Sequence, residues 1–81
     1  MIPILVGPIM PHRGYFAWPY TSADGRLRRS RRFIDRSAAA IARGLLADRH
    51  HRAGREVLVA EDEVTLARHI ARYRIALPRR A

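Results

Sequence analysis

The chain contains no cysteine, which removes both a disulfide framework and a thiolate zinc site as sources of stability. It also contains no lysine: all 16 basic residues are arginine, set against 7 acidic residues for a net charge of +9. No stretch approaches the roughly 20 consecutive apolar residues that a membrane-spanning helix requires. The apolar opening has no basic start and is interrupted by Pro3, Pro8 and Pro11, which argues against a secretory signal. There is no Gly-rich phosphate loop, nucleophile elbow or helix-turn-helix spacing, and no His pair stands at i, i+4. The chemistries those patterns encode are excluded with them. The expectation is a cytoplasmic protein that spans no membrane, uses no cofactor or metal and is not an enzyme.

What is present is enough for one small domain. At 81 residues and 48% apolar composition, the chain reads as a single basic domain, 1–81, with a limited core and a stability of a few kcal/mol. The arginine-only bias has two competing causes. GC-rich coding shifts Lys toward Arg and enriches Ala, and guanidinium forks also suit phosphate and carboxylate better than ammonium does. Coding bias does not explain the excess of positive over negative charge. That excess concentrates polyanions near the surface, so the expected partner is a nucleic acid or an acidic protein surface.

Along the chain, Ile4-Leu5-Val6 reads as a short strand inside an apolar, Pro-rich segment 1–12, and the flanking prolines place it at a sheet edge. Four of the six aromatic residues follow in Tyr15–Tyr20. Period-2 alternation puts Phe16, Trp18 and Tyr20 on one face. Asp24-Gly25 is a hairpin signal in which both central residues take positive φ, giving an aromatic/Arg hairpin over 15–34. Asp35 or Ser37 caps a helix over 36–52 whose core stripe is Ala38, Ile41 and Leu45, widened by Ala42 and Leu46. Arg36, Ala40, Arg43, Ala47 and His50 fall on its far side. Gly44 implies close packing against a neighbour, and Gly54 is the C′ residue. The apolar run Val57–Ala60 predicts a central strand over 55–60, covered on both faces. A second helix over 62–77 carries the stripe Leu66, Ile70, Tyr73 and Leu77, with Pro78 after it and a basic tail over 78–81. The expected class is α+β, order β-β-β-α-β-α, with two helices on a small antiparallel sheet of three to four strands.

The candidate binding residues are the hairpin arginines Arg26, Arg28, Arg29, Arg31, Arg32 and Arg36, opposite the aromatics Tyr15, Trp18 and Tyr20. Cations for backbone phosphates beside flat rings are what nucleic-acid binding needs. The competing view is a core of aromatics beneath a solvated arginine face. Arg79 and Arg80 in the tail exceed what the helix dipole calls for and form a second candidate contact. Val64, Ala71 and Ile75 make a spare apolar strip on the second helix, suited to a homodimer or a partner. That strip, the small size and the want of catalytic motifs fit the alternative of a phage or mobile-element accessory protein. Such a protein binds and inhibits a host protein through an acidic patch on that partner. His12, His50, His51 and His69 supply residue types for a ribonuclease, but no motif fixes their geometry.

Overall fold

Ile4, Leu5 and Val6 are all at most 3% exposed, so this short apolar run lies deep in the fold. The computed structural model describes residues 2–77. In chain order the elements are β1 (Ile4–Val6), β2 (Met10–His12), β3 (Tyr15–Ala17), β4 (Pro19–Thr21), β5 (Leu27–Arg29), α1 (Arg36–Arg52), β6 (Val57–Val59) and α2 (Glu63–Tyr73). The fold is α+β: a mixed sheet of four strands in the order β5-β4-β1-β6, a separate two-stranded sheet β2-β3, and two helices.

Two strand assignments exchange places relative to the sequence pattern. β1 is central, antiparallel to β4 and parallel to β6, while β6 is at the edge. The sheet is therefore not purely antiparallel. The prolines lie just outside β1, at positions 3 and 8, and so take no ladder hydrogen bond from it. Alternation along β1 explains its three apolar residues. Ile4 and Val6 join Trp18, Phe33 and Ala39 in the core beneath α1. Leu5 points the other way, into a second core with Leu27, Ala60, Leu66 and Ile75 beneath α2. One helix thus covers each face of the sheet, and only a strand buried on both sides reads as continuously apolar.

The β1–β4 pairing is completed by a side chain. The Leu5 amide donates to the Oγ1 of Thr21 at 2.7 Å, and Thr21 is fully buried. Gly7 follows, donating its amide to the Pro19 carbonyl at 2.7 Å. A Cβ at Gly7 would stand 2.5 Å from Cγ of Pro19, so any larger residue here pushes β4 away.

Helix α1 occupies the expected span, with Asp35 as its cap accepting from the Ala38 amide at 2.7 Å. The face it buries differs from the expected stripe. Ala39 is the buried residue, with Ala38, Ala42, Leu46 and Ala47 packed around it, whereas Ile41 and Leu45 are 66% and 61% exposed. Gly44 has nothing near it, so close packing does not account for it. Arg43, expected on the outside, is turned inward. Its Nε donates to the Gly7 carbonyl at 2.8 Å and its Nη2 to the Ala60 carbonyl at 3.0 Å, with Glu61 at 3.4 Å. One guanidinium thereby joins α1 to the ends of both parallel strands. Such planar, multi-donor bridging is specific to arginine.

Helix α2 is capped by Asp62, which accepts from the Thr65 amide at 2.7 Å, and it ends at Arg74 in left-handed conformation (φ 53°). The helix stops short of residue 77. The chain then reverses, so Ile75 is buried in the second core while Leu77 is 60% exposed.

Arg43→Ala is expected to lower stability by about 2–3 kcal/mol, because two partly buried carbonyls lose a charged donor. Arg43→Lys should recover less than half of that. Urea unfolding followed by circular dichroism measures both; a loss below about 0.5 kcal/mol for the alanine variant would contradict the bridging role.

Candidate functional site

The residues before and after the Asp24-Gly25 turn do form the expected long hairpin, but with a defect that turns out to matter. The turn itself is a five-residue connection over 22–26, in which Gly25 alone takes positive φ (74°) and donates to the Ser22 carbonyl. From it, Tyr20 pairs with Arg28 and Pro19 with Arg29, and the Ser30 amide donates to the Trp18 carbonyl. This register would set Phe16 opposite Arg32. Phe16 instead exchanges both backbone hydrogen bonds with Phe33, at 2.8 and 2.9 Å. The return arm therefore holds one extra residue at Arg31-Arg32. A bulge of this kind breaks the alternation of side chains and re-aims them. Strict alternation would separate Arg32 from Arg29 and Arg31. The bulge brings all three to one cleft.

A hairpin that the sequence pattern did not indicate forms the opposite wall. β2 pairs with β3 around Arg13-Gly14, both at positive φ (52° and 82°), which is the two-residue reversal of a tight hairpin. Gly14 meets nothing within 4 Å of a built Cβ, so its backbone conformation alone favours glycine there. This pairing sets His12 opposite Tyr15. The resulting open cleft has a volume of about 590 Å³ and is lined by His12, Tyr15, Arg29, Ser30, Arg31 and Arg32. No acidic residue is among its lining.

Two of the three arginines in it lie over aromatic rings. Arg31 lies 4.6 Å over Phe33, Arg32 5.1 Å over Tyr15, and Arg36, just outside, 5.2 Å over Phe16. Stacking fixes the guanidinium plane and leaves its edge donors for other partners. Arg29 takes a different position, with its Nη1 3.3 Å from Nε2 of His12. A guanidinium only donates, so His12 accepts through Nε2 and carries its proton on Nδ1. Partial burial, and then the charges of Arg29, Arg13 and Arg32, hold the His12 pKa below 6.5. This wholly cationic setting favours the neutral imidazole.

The other candidate residues are distributed differently. Arg28 is committed to Asp24 at 2.6 Å and to Ser22 at 2.9 Å. The hydroxyl of Ser22, the amide of Arg26 and the guanidinium of Arg28 together hold the Asp24 carboxyl well below the usual range. Arg26 is the last residue of that turn, where its amide donates to Asp24. Trp18 is core: it is 4% exposed, stacks on Phe33 at 5.3 Å, and its Nε1 has no hydrogen-bond partner among the described residues. Tyr20 is half-buried in the same cluster. Of the strip Val64, Ala71 and Ile75, the first two are exposed and Ile75 is buried. Arg79 and Arg80 lie outside the described residues. His50 accepts from Arg55 at 2.9 Å through Nδ1, and burial, Arg55 and Arg49 lower its pKa. His51 and His69 stand apart from the cleft lining.

Comparison with protein-family models, curated proteins and solved structures returned no match. No helix among the described residues is long and apolar enough to cross a membrane, and those residues contain no cluster of three metal-ligating side chains.

An NMR titration of the imidazoles is expected to place His12 below 6.5, and Arg29→Ala to raise it. An unchanged His12 pKa in that variant would contradict the Arg29–His12 contact.

Proposed function

We propose that the protein is a non-enzymatic nucleic-acid-binding domain that holds backbone phosphates in the cleft between the β2–β3 hairpin and the bulged arm. The observation that carries this reading is the convergence of Arg29, Arg31 and Arg32 on one open cleft with no acid in its lining. Arg36 stands at its margin. Such a cluster attracts an anion through charge and grips its oxygens through paired N–H donors. The folded chain also bears the cost of holding these cations close together, which a bound polyanion relieves. His12 adds a proton-linked component. A bound phosphate favours the imidazolium, so binding takes up a proton and tightens as pH falls from 7.5 toward the free-state pKa of His12.

A second reading, docking on an acidic protein surface, is favoured by a separate feature. Ile41 and Leu45 are exposed one turn apart on α1. Leu45 also borders a groove of about 330 Å³ floored by Trp18 and Phe33 and rimmed by Arg31 and Arg49. The burial of Trp18 removes the largest interface anchor that this reading had in the sequence.

Salt dependence of binding to a single-stranded oligonucleotide, read by fluorescence anisotropy, tests the first reading. With four arginines each neutralising a phosphate, log K is expected to fall with log salt at a slope of about −3. Joint replacement of Arg29, Arg31 and Arg32 by Ala should reduce that slope by about 2, whereas Arg28→Ala, whose guanidinium Asp24 already holds, should leave it unchanged. A slope near zero, or one that the triple variant does not alter, would sink the reading.

A further inference from the structure

The two walls of the cleft offer different chemistry. The bulged arm presents guanidinium groups, while the β2–β3 hairpin presents the ring of Tyr15, which is 41% exposed. The other rings nearby are less accessible: Trp18 and Phe33 are buried against each other, and Phe16 is half-buried. Tyr15 is the one aromatic residue in the lining of the cleft. Arg32 lies over its ring, 5.1 Å from the centroid. The short β2–β3 reversal fixes its backbone, since Tyr15 sits directly opposite His12 at the head of β3.

A duplex keeps its bases stacked on one another and shows this cleft only phosphates and sugars. An exposed, rigidly held ring gains nothing from such a ligand. A single strand has unpaired bases, and a base–aromatic stack tolerates any sequence because every base has a π-face. We infer that the cleft takes single-stranded nucleic acid, with one unpaired base stacked against Tyr15 and an adjoining phosphate held by Arg29 and Arg31 across the cleft. The inference rests on the phosphate-binding reading above and adds the strandedness of the ligand and the residue that reads it. His12, on the hairpin wall, is paired with Tyr15 and reaches Arg29 on the other wall. The groups that face it are all cationic or neutral: Arg13 on its own turn, Tyr15 on β3, Arg29 on β5 and Arg32 on the bulge.

The test uses the full chain and three probes at equal salt: a short single-stranded DNA, the blunt duplex of the same sequence, and linear polyphosphate as a polyanion without bases. The single strand is expected to bind roughly tenfold more tightly than the duplex, the scale of one base–aromatic stack. Tyr15→Ala should bring it to the duplex level while lowering duplex and polyphosphate binding equally and by less, through the support the ring gives Arg32, and Tyr15→Trp should keep or extend the preference. Tyr15 is exposed, and thermal unfolding of both variants verifies that the hairpin survives. Equal binding of single strand and duplex, or a Tyr15→Ala loss shared equally by all three probes, overturns the strandedness inference and leaves phosphate binding standing. Failure of all three probes to bind overturns both.

Discussion

Enclosure of β1 between two cores is the constraint from which the rest of the structure follows. Burying Ile4, Leu5 and Val6 stabilises the fold by about 1.5–3 kcal/mol each, a large share for a chain whose net stability is only several kcal/mol. Because alternate side chains of β1 leave on opposite faces, that burial requires a helix on each side, and α1 and α2 supply them. It also requires a partner strand on each edge, which β4 and β6 provide. The remaining polar groups are then met individually. Thr21 takes the Leu5 amide and Arg43 takes the carbonyls of Gly7 and Ala60. At Gly7 the chain leaves this centre and enters the β2–β3 hairpin, so the wall of the cleft hangs from a deeply buried part of the fold.

The arginines have at least three distinct uses, which their shared chemistry hides in the sequence. Arg43 is structural, spanning backbone carbonyls from inside the protein. Arg28 and Arg52 form exposed pairs with Asp24 and Asp48, of the sort that contributes little to stability. Arg29, Arg31 and Arg32 find no carboxylate in the cleft and are held by rings or by a neutral histidine. Leaving cations uncompensated destabilises a small domain, and here the bulge places them together instead of dispersing them. That placement is what supports an anionic ligand.

The long elements were legible in the sequence, and the short ones less so. Residues 36–52 were readable as α1 because a capping Asp35 and a terminal Gly54 bracket them. The inward face was not readable, because Ala outnumbers large residues there. The helix packs its small residues, Ala39 and Ala42, closely against the sheet and leaves Ile41 and Leu45 outside. The apolar runs at 4–6 and 57–60 both looked like strands, but length favoured the second as the central one. Register decided otherwise, through pairings far apart in the chain. The β2–β3 hairpin is unmarked in the sequence, because Arg13-Gly14 lacks the Asn or Asp that usually accompanies Gly in such a turn and Pro11 is a residue type that strands disfavour. The arginine/aromatic hairpin was visible as a composition. Its bulge was not, since an extra residue shows only when both arms are paired, and that single residue decides which arginines share a cleft with Tyr15 and His12.

The central claim, that an anionic strand occupies the cleft between the β2–β3 hairpin and the bulged arm, is tested most directly by mapping amide chemical shifts during titration with a short single-stranded oligonucleotide. The account expects saturable shifts confined to residues 12–16 and 29–33. Shifts concentrated instead on the outer face of α1, around Ile41, Leu45 and Arg49, with the hairpin undisturbed, would contradict it.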